Sequence, residues 1–326
     1  MSSTTKGTDR DGGRPVTASG PVTDPFDAFP ELVPLRTAAR EGDGAAVLAF
    51  FAGLGSADEV CFASHHLADV PDVEKCLERA VAARPADPLP RTLLAERYVR
   101  VGWAIRSRAL ARDVSRDRFD QFHEWLRRAE RLLIEVCAEH PAYAPAWTTR
   151  LLTARGLELG QSEARRRYDR MSAGTAHTHR AQTLLLQQLC PKWGGSWDAA
   201  HGFAQECASA ASDGSDAGSL VALAHIEHRM ELQGVEADTY LRNISVRNDL
   251  RAAAERSVLH PAHRPGWDSV AAHSAFAMAF SLGGHHGDAA RHFTVLGDRA
   301  SEFPWEYLAD WRGLFTTFRA SALETL

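Results

Sequence analysis

The densest gathering of chemically able groups in this sequence is His225-Ile226-Glu227-His228-Arg229. At helical pitch His225, His228, Arg229 and Leu232 share one face, while Leu223, Ile226 and Met230 form the adjoining apolar face. Two imidazoles three residues apart can ligate one metal if a neighbouring repeat brings a third ligand, or one ring can act as a base. The same spacing also suits a polar face that meets water. The reading adopted is contact with a ligand or partner in an interior groove, with no metal and no cofactor.

A second constellation is Lys192, Trp193 and Trp197, which flank a Gly-Gly turn. It can build an aromatic wall for a ligand, or wedge two repeats together. Trp147 and Trp267 are expected to be buried between repeats. Arginines cluster at Arg127-Arg128 with Arg131 and at Arg165-Arg166-Arg167 with Arg170, where an acidic peptide or phosphorylated ligand can bind. Acidic neighbours such as Glu124, Glu130, Glu163 and Asp169 lie within helical reach and offer simple ion pairs instead. The pairs His65-His66, His177/His179 and His285-His286 fall near expected helix ends or turns, where caps and exposed rings are ordinary. No Walker loop, Rossmann glycine fingerprint, Gly-x-Ser-x-Gly elbow, His-Glu-x-x-His or paired Cys-x-x-Cys occurs.

Composition narrows the setting. A formal charge of -5 across 326 residues argues against a general nucleic-acid binder, which needs positive charge to release counterions from phosphates. Arginine supplies nearly all the positive charge, since only Lys6, Lys75 and Lys192 are lysines, and this bias fits a GC-rich bacterial genome. The five cysteines, Cys61, Cys76, Cys137, Cys190 and Cys207, are odd in number and far apart, as expected of buried free thiols in a reducing compartment. No apolar run approaches the roughly 18 residues of a membrane span, and no signal-peptide pattern opens the chain. A cytoplasmic location follows as the expectation.

These side chains must be positioned by helices. Residues 1–30 are Ser, Thr, Gly, Asp and Pro with scattered charge, and are expected to form a disordered tail with Phe26 and Phe29 docking at its end. Residues 31–326 form the expected α-helical repeat domain, in which apolar residues recur at intervals of three and four. Phe119, Phe122, Leu126, Ala129, Leu133 and Val136 make one such stripe. Pro punctuation recurs at Arg84-Pro85, His140-Pro141, His260-Pro261 and Phe303-Pro304, each between amphipathic stretches. The segment from Gly194 to Phe203 echoes Gly283 to Phe293, and both read as a turn, an N-cap Asp and a helix. The stretches Trp103–Asp117 and Gly234–Ile244 read as insertions or extensions.

Leu94, Ala95, Tyr98 and Gly102 have the spacing of a tetratricopeptide first helix, and Trp147 and Leu151 start another. Ala129/Leu133/Val136, Ala164/Tyr168/Met171, Ala199/Phe203 and Ala289/Phe293/Leu296 resemble that family's second helix, in which the small residue lets two helices approach. Pro191-Lys192-Trp193-Gly194-Gly195-Ser196 resembles a motif of uncharacterised bacterial helical proteins and carries no activity with it. The resemblance to tetratricopeptide repeats implies an all-α fold, an α-solenoid of stacked antiparallel helix pairs. It further implies a scaffold whose concave surface binds a protein or peptide segment through residues such as Arg91, Arg150, His225, Arg229 and His273. The alternative is an enzyme or small-molecule binder, in a setting such as specialised metabolism, with its site in the groove at His225, His228, Arg229, Lys192 and Trp193. An enclosed pocket of a few hundred cubic ångströms favours this alternative, and an open channel favours the peptide.

Overall fold

Pro and Gly punctuation and Ser, Thr, Asn or Asp caps cut this chain into short helices, and the computed structural model describes residues 20–107, 114–172 and 176–326 of it. Among the described residues there are eighteen α-helices, beginning with α1 (Pro25–Ala28), α2 (Val33–Glu41), α3 (Gly44–Ala52), α4 (Ala57–Leu67), α5 (Val73–Ala83) and α6 (Pro88–Arg106). Next come α7 (Arg116–Glu139), α8 (Ala144–Gly156), α9 (Gln161–Ser172), α10 (His179–Leu189), α11 (Trp197–Ala210) and α12 (Ser219–Glu231). The last six are α13 (Gly234–Tyr240), α14 (Ile244–Arg256), α15 (Ser269–Leu282), α16 (His286–Leu296), α17 (Glu302–Trp305) and α18 (Trp311–Leu323). Among the described residues the β-structure is an isolated bridge between Val22 and Arg299, and no helix is long and apolar enough to cross a membrane.

Two kinds of helix divide the work. In α7 the buried residues Phe122, Leu126, Ala129, Leu133 and Val136 make the single stripe expected from the sequence. In α8, α12 and α15 nearly every face is buried, including all of Ser219–Glu227 and Ala272–Ser281. With the less deeply buried α4, α6 and α10 they form an inner series in which α4 meets α6, α6 meets α8, α8 meets α10, α10 meets α12 and α12 meets α15. The one-striped kind lies over it, with α7 on α6 and α8, α9 on α8 and α10, α11 on α10 and α12, and α16 on α15. The inner series curls tightly enough for α4 also to touch α8 and α10. Two apolar clusters, one before and one after residue 95, both pack against Tyr98, Leu132 and Val270. All five cysteines are free and buried.

Several expectations need correcting. Ala129, Ala164 and Ala289 are buried, but Ala199 is exposed and its neighbour Ala200 takes the inward position with Phe203 and Cys207. The N-caps before α11 and α16 are Ser196 and His285, not an Asp; Asp288 is instead buried between Arg247 (2.8 Å) and Arg251 (3.0 Å). Phe26 and Phe29 are docked, as expected, but the contacts begin earlier than the tail reading had them, since Val22 exchanges backbone hydrogen bonds with Asp298 and Ala300. Residues 1–19 of that reading, and residues 108–113 of the stretch taken for an insertion, lie outside the described residues.

The Pro191–Ser196 motif has a structural reason. Pro191–Trp193 forms a 3-10 turn, Gly194 closes it at a φ of +84°, and Ser196 caps α11. Gly195 passes so close to α10 that a Cβ would lie 1.9 Å from the Leu189 carbonyl oxygen. Gly195→Ala is therefore expected to cost about 2–3 kcal/mol in urea unfolding. Gly202→Ala, in α11 with open space around it, is expected to gain up to about 1 kcal/mol. Equal midpoints for the two variants would refute this account.

Candidate functional site

The curl of the inner helices leaves a half-enclosed cavity of about 340 Å³ at its centre. Phe62, His65 and His66 of α4, His179, Arg180 and Thr183 of α10, Leu223 of α12 and Val270 of α15 line it. The N-terminal segment around Pro25–Phe29 and the segment Ala300–Glu306 close two sides. A second cavity of about 570 Å³, lined by Asp58, Glu59, His177, Asp216 and Arg264, shares Phe62, His179, Trp267 and Asp268 with the first. Those four residues therefore form a wall between two chambers.

Three helix starts meet at this wall. Asp58 accepts the backbone N–H of His179 at 2.7 Å as α10 begins, Asp216 opens the turn before α12, and Asp268 precedes α15. Each carboxylate meets the positive end of a helix, which makes the cluster locally sensible. Burial nonetheless pushes the Asp58 and Asp216 carboxyls up, so the wall carries more negative charge than it solvates. The Asp216 Oδ1 atom is buried without a hydrogen-bond partner, 3.9 Å from a similarly placed His263 Nε2.

His179 sits between a serine and an aspartate, with Nε2 3.0 Å from Ser219 Oγ and Nδ1 3.8 Å from Asp268 Oδ1. That order matches a nucleophile, a base and an orienting carboxylate. Its protonation argues otherwise. Burial disfavours the charged ring, but Asp268, Asp216 and Asp58 outweigh burial and push His179 up to about 9. A ring held toward its charged form by three carboxylates is a poor base for the Ser219 hydroxyl. Ser219 is moreover fully buried at the start of α12. Below the wall Glu96 binds Arg180 at 2.8 Å and Thr149 at 2.7 Å, with His65 at 3.7 Å.

The residues singled out in the sequence lie elsewhere. Ser219 and Leu223 turn one face of α12 to the cavity, so His225 and His228 point the other way, toward α11 and α13. There they meet His201 and Tyr240. The Tyr240 hydroxyl lies 2.9 Å from His225 Nδ1, 2.9 Å from His228 Nδ1 and 3.4 Å from His201 Nε2, and the last two nitrogens are 3.1 Å apart. Trp197 stacks on His228 with centroids 4.4 Å apart. Burial holds His201 down to about 4 and His225 to about 3, each helped by the neighbouring histidines, and lowers His228 as well. Arg229 is half-buried and is not part of this contact set.

Lys192 reaches the buried Glu227 at 2.6 Å and Tyr307 at 3.2 Å, and Arg155 covers the Trp193 ring, so these two residues are separated from the histidines. Arg150 is buried against Glu130, Arg91 pairs with Glu139, and His273 faces the fully buried His292 at 3.0 Å. Trp147 is buried and bonded to the Pro141 carbonyl, whereas Trp267 is half-buried, lines both chambers and donates to Glu31 at 2.8 Å. Sequence reasoning passed over His65, His66 and His179 as ordinary helix-end residues, and did not weigh Asp58, Asp216 and Asp268 at all. No family model, curated protein or solved structure matches the chain.

Proposed function

We propose that this chain is a tetratricopeptide-like α-solenoid acting as a binding scaffold in the bacterial cytoplasm, and that its ligand is a small organic cation held at the central wall. The succession of inner helices packed on one another, with one-striped outer helices over them, supports the repeat reading. The observation that carries the ligand reading is the pairing of aromatic and anionic surface. Trp267 and Phe62, 5.5 Å apart, stand beside Asp58, Asp216 and Asp268, whose charge His179 offsets only in part. An ammonium group relieves that charge and gains a cation–π contact. The half-enclosed chambers favour a small molecule over a bound protein segment, and the carboxylates that favour the charged form of His179 make it a poor base, which supports binding without catalysis.

The test is calorimetry and thermal shift of the full chain against primary and quaternary amines, with carboxylates of matching size as controls. Amines are expected to raise the melting temperature and to bind about tenfold more weakly to Asp268→Asn and to Trp267→Ala. Preferential binding of the carboxylates, or undiminished amine binding by both variants, would reject the proposal. Binding of extended peptides in place of amines would return the scaffold to its peptide reading.

A further inference from the structure

Given an organic cation at the central wall, on which this narrower class rests, we infer that the ligand is a primary amine with an apolar body. Its ammonium meets Asp58, Asp216 and Asp268, and its hydrocarbon part lies in the central cavity. The carboxylates receive few protons from the protein. Asp58 Oδ1 accepts from the His179 backbone and Asp216 Oδ2 takes the Ser269 hydroxyl at 3.2 Å, while the His179 ring stops 3.8 Å from Asp268 Oδ1. His263 sharpens the point. Its side chain is 7% exposed, and its Nδ1 lies 2.7 Å from the Gly214 carbonyl oxygen, which only accepts, so Nδ1 carries a proton. In the neutral ring Nε2 is then an acceptor, aimed at Asp216 Oδ1 from 3.9 Å, and among the described residues neither atom has a hydrogen-bond partner. Two buried acceptors facing each other, one of them on a residue that lines the chamber, call for a proton donor.

A primary ammonium brings three N–H donors and a quaternary ammonium none, so the primary form suits such a wall. The aromatic pair does not compensate. Phe62 and Trp267 pack on each other with centroids 5.5 Å apart and rings tilted by 39°, which leaves no slot between them. A methylated cation therefore gains an open aromatic surface on one side in place of a cage. On the cavity side of the wall the character changes. Phe29, Leu184, Leu223, Val270 and Phe303 contribute apolar surface to the space of about 340 Å³, where a hydrocarbon body leaves water.

The experiment is calorimetry of the full chain with methylamine, butylamine, ethanolamine, 2-phenylethylamine and the N-trimethyl counterpart of the last. 2-Phenylethylamine is expected to bind about tenfold more tightly than its trimethylated counterpart. Butylamine is expected to bind about tenfold more tightly than methylamine or ethanolamine. The nearly isosteric Val270→Thr should weaken butylamine by about threefold and leave methylamine unchanged. Failure of every amine to bind overturns this class together with the cation reading. Equal affinity within the phenylethyl pair, or for butylamine and ethanolamine, overturns the class alone and leaves the cation reading standing. Unchanged butylamine binding by Val270→Thr places the hydrocarbon part outside the cavity and overturns it likewise.

Discussion

Glu130→Ala is expected to lower stability by about 3–5 kcal/mol, because it strips a carboxylate from two buried guanidinium groups. Glu130 Oε1 accepts from Arg150 Nη2 at 2.7 Å and Arg167 Nη2 at 2.8 Å, while Oε2 accepts from Thr153 at 2.5 Å and Arg167 Nη1 at 3.1 Å. The arginine side chains are 10% and 2% exposed, so water cannot replace the lost partner. Arg167 keeps Glu163 at 2.7 Å, and Arg150 is left with the face of Trp147. The network joins α7, α8 and α9, which makes its loss global. Urea melts measure it, and a midpoint close to wild type would show that the helices reorganise around the arginines. A triple variant with Met at 150 and 167 and Leu at 130 is expected to recover most of the loss, since apolar groups of similar volume carry no charge to desolvate.

Arg150 also shows why the architecture was more legible than the site. A one-striped helix such as α7 announces its buried face through its spacing, and Phe122 to Val136 appear where the sequence puts them. An inner helix such as α8 is buried all round, so its polar residues cannot be assigned to a groove by phase. Arg150 and His273 pair with buried partners from other helices instead, and the buried Arg91 pairs with the exposed Glu139 of α7. Adjacent small residues cause a related slip at Ala199 and Ala200, where either phase looks acceptable until Phe203 and Cys207 settle it. The spacing of His225 and His228 correctly puts them together, but nothing local signals that His201 and Tyr240 complete the set. Asp58, Asp216 and Asp268 each look like an ordinary residue at a helix start. Only the curl of the inner series brings them to one wall.

Glu96→Ala is expected to cost about as much as the Glu130 change, on the order of 3–5 kcal/mol, and to loosen the central cavity as well. Glu96 comes from α6 and holds Thr149 of α8, Arg180 of α10 and His65 of α4, so one carboxylate joins four inner helices. Arg180 and His65 line the cavity, and without Glu96 the arginine is a half-buried charge with nothing to anchor it. Burial raises the Glu96 carboxyl, but Arg180, His65 and the Thr149 hydroxyl outweigh burial and bring it down to about 2. The sign follows from that depression. A carboxyl held below its unfolded value near 4.5 stabilises the fold above that pH and loses its contribution as pH falls toward 2. Glu96→Gln keeps the shape and the Thr149 contact but cannot titrate. Its stability is therefore expected to be lower than wild type at pH 7, with the gap closing by on the order of 3 kcal/mol as the solution is acidified from 4.5 to 2. Chemical denaturation at a series of pH values reads this directly: a constant gap across that range would mean that Arg180 finds another partner and that Glu96 does not hold the lining of the cavity.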